Sequence, residues 1–433
     1  MPGHPGHSLL CLIDPERSEG AEPSMASTWR SRFHRPNPVE LATGMVTAMT
    51  DRPDLVAEQR AALKPHTTAR RVLEEIVLQG LQRPPCLVTF SGGRDSSALL
   101  AVSMHVARRE GLSMPVAFTF CYDNERETDE TSWQELVLKH LGVDDWEVAH
   151  IGDRHDMVGP LAQPFLIAHG LVFPPTMYNN TLPLARARGG THISGEGGDE
   201  IFGARRSTIL RWILDNPKYL ARRDHLKHTA MTLGPRQSRT MAWRRTLDRI
   251  LSEHLSYLHR DVREQFQIDL ATHLASEPFA FGRSLGWHLR RKMIVMLEEG
   301  LTAFSEENDV LHVDPFLEPR FVAAFARMVD PLGLSTRTDA MRALFSDVLP
   351  DEVLSRTSKA LFNRGFLTDV GRAFARSWDG GGVDKEMVDP VALRSAWLSN
   401  WPPAQSFGLL QAAWLHAKGV ELGGLGPGPY GST

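Results

Sequence analysis

The sequence predicts an α/β protein, with a parallel sheet flanked by helices and then a mainly α-helical carboxyl half. Three observations predict it. Short strand-like runs alternate with helix-period segments between about residues 67 and 200, Gly-rich segments follow two of those runs, and strand signals fade after Ile201. Strands that alternate with helices pair in parallel and carry helices on both faces. In such sheets ligands bind beyond the carboxyl ends of the strands.

The elements follow in order. Residues 1–64 mix Pro, Gly, Ser and scattered charge and read as an arm with at most short helices, because Pro2, Pro5, Pro15, Pro23, Pro36, Pro38 and Pro53 interrupt any long element. Thr67–Gly80 carries Leu73, Ile76 and Val77 at helical spacing behind a threonine able to cap it. Pro85–Phe90 is a strand-like run ending in Ser91-Gly92-Gly93-Arg94-Asp95-Ser96, and Ser97–Arg109 reads as a helix. Val116–Cys121 is a second strand, Glu130–Leu141 a second helix and Trp146–Ile151 a third strand. Thr181–Arg188 is helical, and Thr191–Ser194 is a short strand running into Gly195-Glu196-Gly197-Gly198-Asp199-Glu200. Beyond Ile201, Trp243–Leu258, His288–Phe304 and Phe321–Met328 have helix-period apolar positions. The expected organisation is an arm over 1–64, an α/β core over 65–204, a helical region over 205–422 that completes the site, and a flexible Gly- and Pro-rich tail over 423–433.

Composition narrows the function class. With 433 residues, 42% hydrophobic and 23% charged, the chain has ordinary soluble usage, which excludes disordered, collagen-like and disulfide-dense classes. Lys plus Arg number 48 against 52 Asp plus Glu, so a net charge of −4 exerts no global pull toward nucleic acid or membrane. Cys11, Cys86 and Cys121 form neither a disulfide framework nor a zinc pattern, and the eighteen histidines show no HExxH spacing. The early apolar run Leu9–Ile13 is too short for a secretion signal, and no stretch reaches the ~18 apolar residues of a membrane span. A cytoplasmic location is the expectation.

The segment Ser91–Ser96 sits between a strand and a helix. Its glycines permit a sharp turn and close approach to an anion, while backbone N–H groups, the two serine hydroxyls and the helix amino end offer donors to phosphate. Asp95 would repel bare phosphate, which points to a bridging divalent cation such as Mg²⁺. Neither a Walker loop nor GxGxxG is present. The segment resembles the SGGxDS loop of the ATP pyrophosphatases (PP-loop enzymes with an adenine nucleotide alpha hydrolase-like fold), which split ATP between its α and β phosphates. Ser194–Gly203 (SGEGGDEIFG) resembles the SGEGxDExFGG segment of the asparagine synthetase synthetase domain, with Ala204 at the final Gly. Further similarities are Thr128-Asp129-Glu130, Asp314-Pro315-Phe316-Leu317-Glu318, Leu349-Pro350-Asp351-Glu352, and Arg356 to Phe362 with Lys359, where the Arg stands one residue further from the Lys than in the family. They span residues from about 67 to 370.

The resemblance implies an ATP-dependent ligase that adenylates a carboxylate, releases pyrophosphate and passes the acyl group to an amine. By it, Ser91, Gly92, Gly93, Asp95 and Ser96 would hold the departing pyrophosphate, and Asp95 and Asp199 would bind Mg²⁺. Ser194, Gly195, Glu196 and Gly197 would sit beside the α-phosphate and acyl group, and Lys359 would offset charge as the C–N bond forms. Glu196 and Lys359 are the candidate catalytic residues.

Two departures redirect the substrate expectation. Pro2 follows Met1 and the first 64 residues are too few for a glutaminase domain, so ammonia from glutamine would need a separate protein. Aligned on Pro315-Phe316-Leu317, the Glu of the family's ExRxPFLD segment is Leu311 and its Arg is Val313. An apolar residue cannot act as a base, which speaks against asparagine as product and toward a specialised enzyme similar to β-lactam synthetases and lasso peptide cyclases. The alternatives are asparagine synthesis from ammonia and a tRNA-modifying ligase. Between Arg205 and Arg249 twelve Lys or Arg face three Asp, a net +9. Such a run is commonly a solvated helix face, and it is also suited to an acidic leader peptide, a carrier protein or RNA.

Overall fold

The computed structural model describes residues 33–122, 130–143, 146–219, 232–358 and 363–420. Strands β1 (Cys86–Thr89), β2 (Val116–Cys121), β3 (Glu147–His150), β4 (Thr191–Ile193) and β5 (Leu311–Val313) form one sheet in the order β3-β2-β1-β4-β5. All neighbours pair in parallel. The chain leaves β1 toward β2 and β3 on one side, then returns to the other side for β4 and β5. The strand order therefore reverses between β1 and β4, where open α/β sheets bind ligands.

The first four strands are those read from the sequence: β2 spans the same residues, β1 and β3 are one residue shorter at each end, and β4 is one shorter at its carboxyl end. The fifth lies in the half expected to be mainly helical, where no strand was read. Three residues are too few for period-two alternation to show, and β5 exists because β4 holds it, with His192 opposite His312 and Ile193 opposite Val313.

Alternation along the strands sorts residues between two cores. Val88 and Ala117 pack with Leu73, Val77, Leu99 and Leu100 from helices Ala69–Leu81 and Arg94–Glu110. Leu87 and Phe118 pack with Met157, Leu184 and Leu410 on the other face. Helix Ala69–Leu81 starts as expected, with Thr68 Oγ1 accepting the Arg71 N–H at 3.2 Å. In the stretch read as an arm, helices Pro38–Thr43 and Leu55–Ala62 form, and Phe33, Leu41 and Val56 are buried in these same cores.

Among the described residues, the regular structure of the carboxyl half is helical apart from β5. The single helix expected over His288–Phe304 is two, Phe281–Leu289 and Lys292–Glu307. The break comes where Thr50 N–H donates to the Arg290 carbonyl and Lys292 N–H to the Ala48 carbonyl, both at 2.9 Å, diverting backbone groups from a continuous helix. Phe202, just after the second Gly-rich loop, packs edge-on against Phe316 and Phe325 with ring centroids 5.1 and 5.5 Å away. Removing such a buried ring costs about 3–5 kcal/mol, so the Pro315-Phe316-Leu317 segment is a firm floor under that loop. Among the described residues no helix is long and apolar enough to cross a membrane.

Candidate active site

The two Gly-rich loops leave neighbouring strands, β1 and β4, at their carboxyl ends. In the first, Ser96 Oγ lies 3.0 Å from Ser91 Oγ, accepts the Ser91 N–H at 3.1 Å and is 3.2 Å from the Gly93 carbonyl. Gly93 caps helix Arg94–Glu110 without any side-chain hydrogen bond, so the first-turn N–H groups stay available to an anion. Gly92 has φ +82°, and a Cβ there would lie 3.0 Å from Gln134 Cγ. The position takes glycine on both counts.

The second loop packs directly on the first. A Cβ at Gly195 would be 3.4 Å from Ser96 N, and one at Gly198 would be 2.7 Å from Asp95 Oδ2. Gly197, at φ +85°, has Leu317 Cγ 2.5 Å from where its Cβ would be. The short helix Gly198–Phe202 carries Asp199 in its first turn. The sequence expectation that the two loops meet therefore holds, with Ser91, Gly92, Gly93, Asp95, Ser96, Ser194, Gly195, Glu196, Gly197 and Asp199 gathered around one junction.

Two arginines complete the junction, Arg337, which no motif contains, and Arg356, which the motif before Lys359 contains without giving it a partner. Arg337 pairs with both Asp95 and Asp199. It is the first residue of helix Arg337–Phe345, which begins with a capping box between Thr336 and Asp339. That box is legible in sequence as a helix start, yet it carries no sign of where Arg337 reaches. Arg356, buried, donates to the Gly92 carbonyl at 2.9 Å, pairs with Glu130, and lies 4.6 Å from the Trp133 ring centroid. Its Nε also donates to Ser358 Oγ at 2.9 Å. The shifted Arg of the family's motif thus ties the segment leading to Lys359 to the first loop. Lys359 itself, like Thr128 and Asp129, lies outside the described residues.

The site fits a nucleotide and its cation. Asp95 Oδ1 and Arg337 Nε are buried without a hydrogen-bond partner, and burial pushes the Asp95 pKa up although Arg337 opposes it. An oxygen left over in this way is suited to a hard cation such as Mg²⁺. No cluster of three or more His, Cys, Asp or Glu forms a metal cage among the described residues.

Glu196 is an exposed residue, yet desolvation of its carboxyl, with Asp314, Glu200 and Asp199 adding, pushes it up to about 7. Glu298, on helix Lys292–Glu307, also rises to about 7, through burial first and with Arg52 opposing. Leu311, at the family's Glu position, is a partly exposed residue of β5. The basic stretch is partly consumed by the fold. Arg205 is buried against Glu277, Arg206 donates to the Thr232 and Glu277 carbonyls, and Arg239 donates to the Gly234 and Ala275 carbonyls. Arg236, Arg244, Arg245 and Arg249 are exposed, while Arg222, Arg223 and Lys227 lie outside the described residues.

No curated protein matches the chain. Residues 68–416 match the model of the asparagine synthase family, a span that holds both loops, both arginines and the Phe316 floor. The chain therefore belongs to the asparagine synthase family and is an ATP-dependent ligase that forms amide bonds.

Proposed function

We propose that this enzyme adenylates a carboxylate, releases pyrophosphate and transfers the acyl group to an amine in a specialised biosynthetic reaction, with closure of a peptide macrolactam as the favoured class. The observation that carries the reading is the junction of the two loops, where Asp95 rests against Gly198 and Arg337 spans Asp95 and Asp199. Serine hydroxyls and uncapped N–H groups of the first loop would receive the pyrophosphate portion of ATP, and Asp95 and Asp199 would hold Mg²⁺. When bound, that ion supplies positive charge to the phosphates. A carboxylate is a poor acyl donor, and AMP gives it a good leaving group.

The second loop leaves Glu196 exposed beside the junction. A carboxyl with a pKa near 7 can exchange a proton with an amine at neutral pH, and Glu298 is a second carboxyl of that kind. Leu311 supplies no base, which favours an amine other than ammonia. Lys359 would offset charge on the adenylate. A leader peptide, carrier or separate glutaminase would be the partner class.

The test incubates the full chain with Mg–ATP and either L-aspartate plus ammonium or a peptide with a free amino terminus and an internal Asp or Glu side chain. AMP with a peptide lighter by one water supports the reading. ADP as the nucleotide product overturns adenylation, and AMP with asparagine assigns the enzyme to ammonia.

A further inference from the structure

A row of side-chain hydrogen bonds crosses the sheet beneath the second loop. Leu87 pairs with His192 and His192 with His312, and Thr89, two residues beyond Leu87, shares their face of the pleat. Thr89 Oγ1 is 2.6 Å from His192 Nε2, His192 Nδ1 is 3.1 Å from His312 Nδ1, and His312 Nε2 is 2.8 Å from Asp314 Oδ2. The other Asp314 oxygen accepts the Ser194 hydroxyl, whose oxygen accepts the Glu196 N–H at 3.2 Å. The side chains of His312 and Asp314 are only 4% and 8% exposed. An ion pair this deep persists only where its remaining donors and acceptors are met.

Distances alone leave the ring protons open, because either of the facing Nδ1 atoms can be the donor, and the surrounding charges favour one arrangement. Asp314 offers two acceptor oxygens and receives two donors, one from His312 and one from Ser194. Burial opposes charge on His312, and Asp314 outweighs it to raise the imidazole's pKa. His192, driven down to about 3 by burial and by His312, is neutral. His312 Nδ1–H then donates to His192 Nδ1, and His192 Nε2–H donates to Thr89. The Ser194 hydroxyl is fully committed, its proton to Asp314 and its lone pair to Glu196 N–H.

We propose that Asp314 is a positioning residue of the amide-forming site: gripped by His312, its carboxylate holds the Ser194 hydroxyl and thereby sets the Glu196 backbone in the second loop. What the loop is positioned to do rests on the adenylation reading above, whereas the latch rests on hydrogen bonds alone. Asparagine at 314 has one acceptor oxygen, so it cannot receive both the Ser194 hydroxyl and a charged His312: either its NH₂ group opposes a donor or His312 gives up its Nε2 proton.

The test uses the full chain and the variants Asp314→Asn, Ser194→Ala and their double, with Mg–ATP as the probe. Ser194→Ala should exchange the Glu196 amide about fivefold faster, the effect of one net hydrogen bond. The His312 nitrogen resonances, assigned through their loss in His312→Gln, should read doubly protonated in the wild type at pH 7.5 and neutral in Asp314→Asn. AMP release should fall about a hundredfold in each single variant, as for a misplaced reacting group. Mg–ATP affinity of Asp314→Asn by calorimetry should stay within about twofold of wild type, since a misplaced reacting group lowers rate more than binding. The double should be no slower than the singles, since the two residues act through one contact. Additive losses in the double, unchanged amide exchange in Ser194→Ala, or a neutral His312 in the wild type would each overturn the latch. A wild-type chain that makes no AMP with any acid overturns the adenylation reading instead, and the exchange and nitrogen signals still decide the latch.

Discussion

Replacing Arg356 with Met separates the stability of the first loop from its function. The guanidinium is buried, pairs with a Glu130 side chain that is 10% exposed, and donates to the Gly92 carbonyl at 2.9 Å. Truncating one partner of such a pair strands the other charge, a loss of about 3–5 kcal/mol. Adding Glu130→Met removes the stranded charge, and an apolar replacement of a buried pair is often neutral in stability. The double variant should therefore recover to within about 1–2 kcal/mol of wild type. Activity should not recover, because the Gly92 carbonyl still lacks its donor and a loop displaced by about 1 Å costs roughly a hundredfold in rate. Urea unfolding at pH 7.5 reads the first quantity, and AMP release from Mg–ATP the second. A double variant with wild-type AMP release would refute the clamp, and a single variant destabilised by less than about 1 kcal/mol would refute the buried pairing.

Other consequences are more quickly tested. Gly198→Ala would set a Cβ 2.7 Å from Asp95 Oδ2, so Mg–ATP binding should weaken at least about tenfold, the ratio set by about 1.4 kcal/mol; unchanged calorimetry would mean the loops do not touch. Asp199→Asn should abolish ATP–pyrophosphate exchange without altering the circular dichroism spectrum, and wild-type exchange would remove Asp199 from cation binding. Arg337→Met leaves Asp95 and Asp199 facing each other without their arginine, so the nucleotide-free protein should bind Mn²⁺ more tightly than wild type; equal titrations would show that Arg337 does not compete for those carboxylates. His155 is fully buried, and burial, then Arg154, push its pKa down to about 3. Below about pH 6.5 the unfolded chain takes up that proton first, so stability should fall by up to about 1.4 kcal/mol per pH unit between 6.5 and 3. Urea midpoints at pH 7.5 and 5.5 should diverge less in His155→Gln than in wild type, and equal divergence would exonerate His155.

The parts of the fold that local chemistry dictates were legible. Runs such as Val116–Cys121 and turns such as Ser91–Ser96 advertise themselves within a few residues, and both glycine loops came together as their motifs implied. Long-range partnership was not legible. Strand β5 has no pattern of its own and is defined by its neighbour. Arg337 and Arg356 act on residues 242 and 264 positions away, beyond any periodicity. His312 and Asp314 stand beside a recognisable Pro-Phe-Leu segment, but only the sheet register puts His312 against His192 and turns Asp314 toward Ser194.

Because Arg337 and Arg356 reach back so far, order of synthesis acquires a meaning. A ribosome releases both glycine turns well before either guanidinium is translated, so the growing polypeptide carries the two loops without the arginines that clasp them. The clasp forms only once residues 337 and 356 have been made. A nascent chain stalled before residue 337 would thus hold both turns with neither guanidinium across them, and the junction is among the late-assembled parts of the domain.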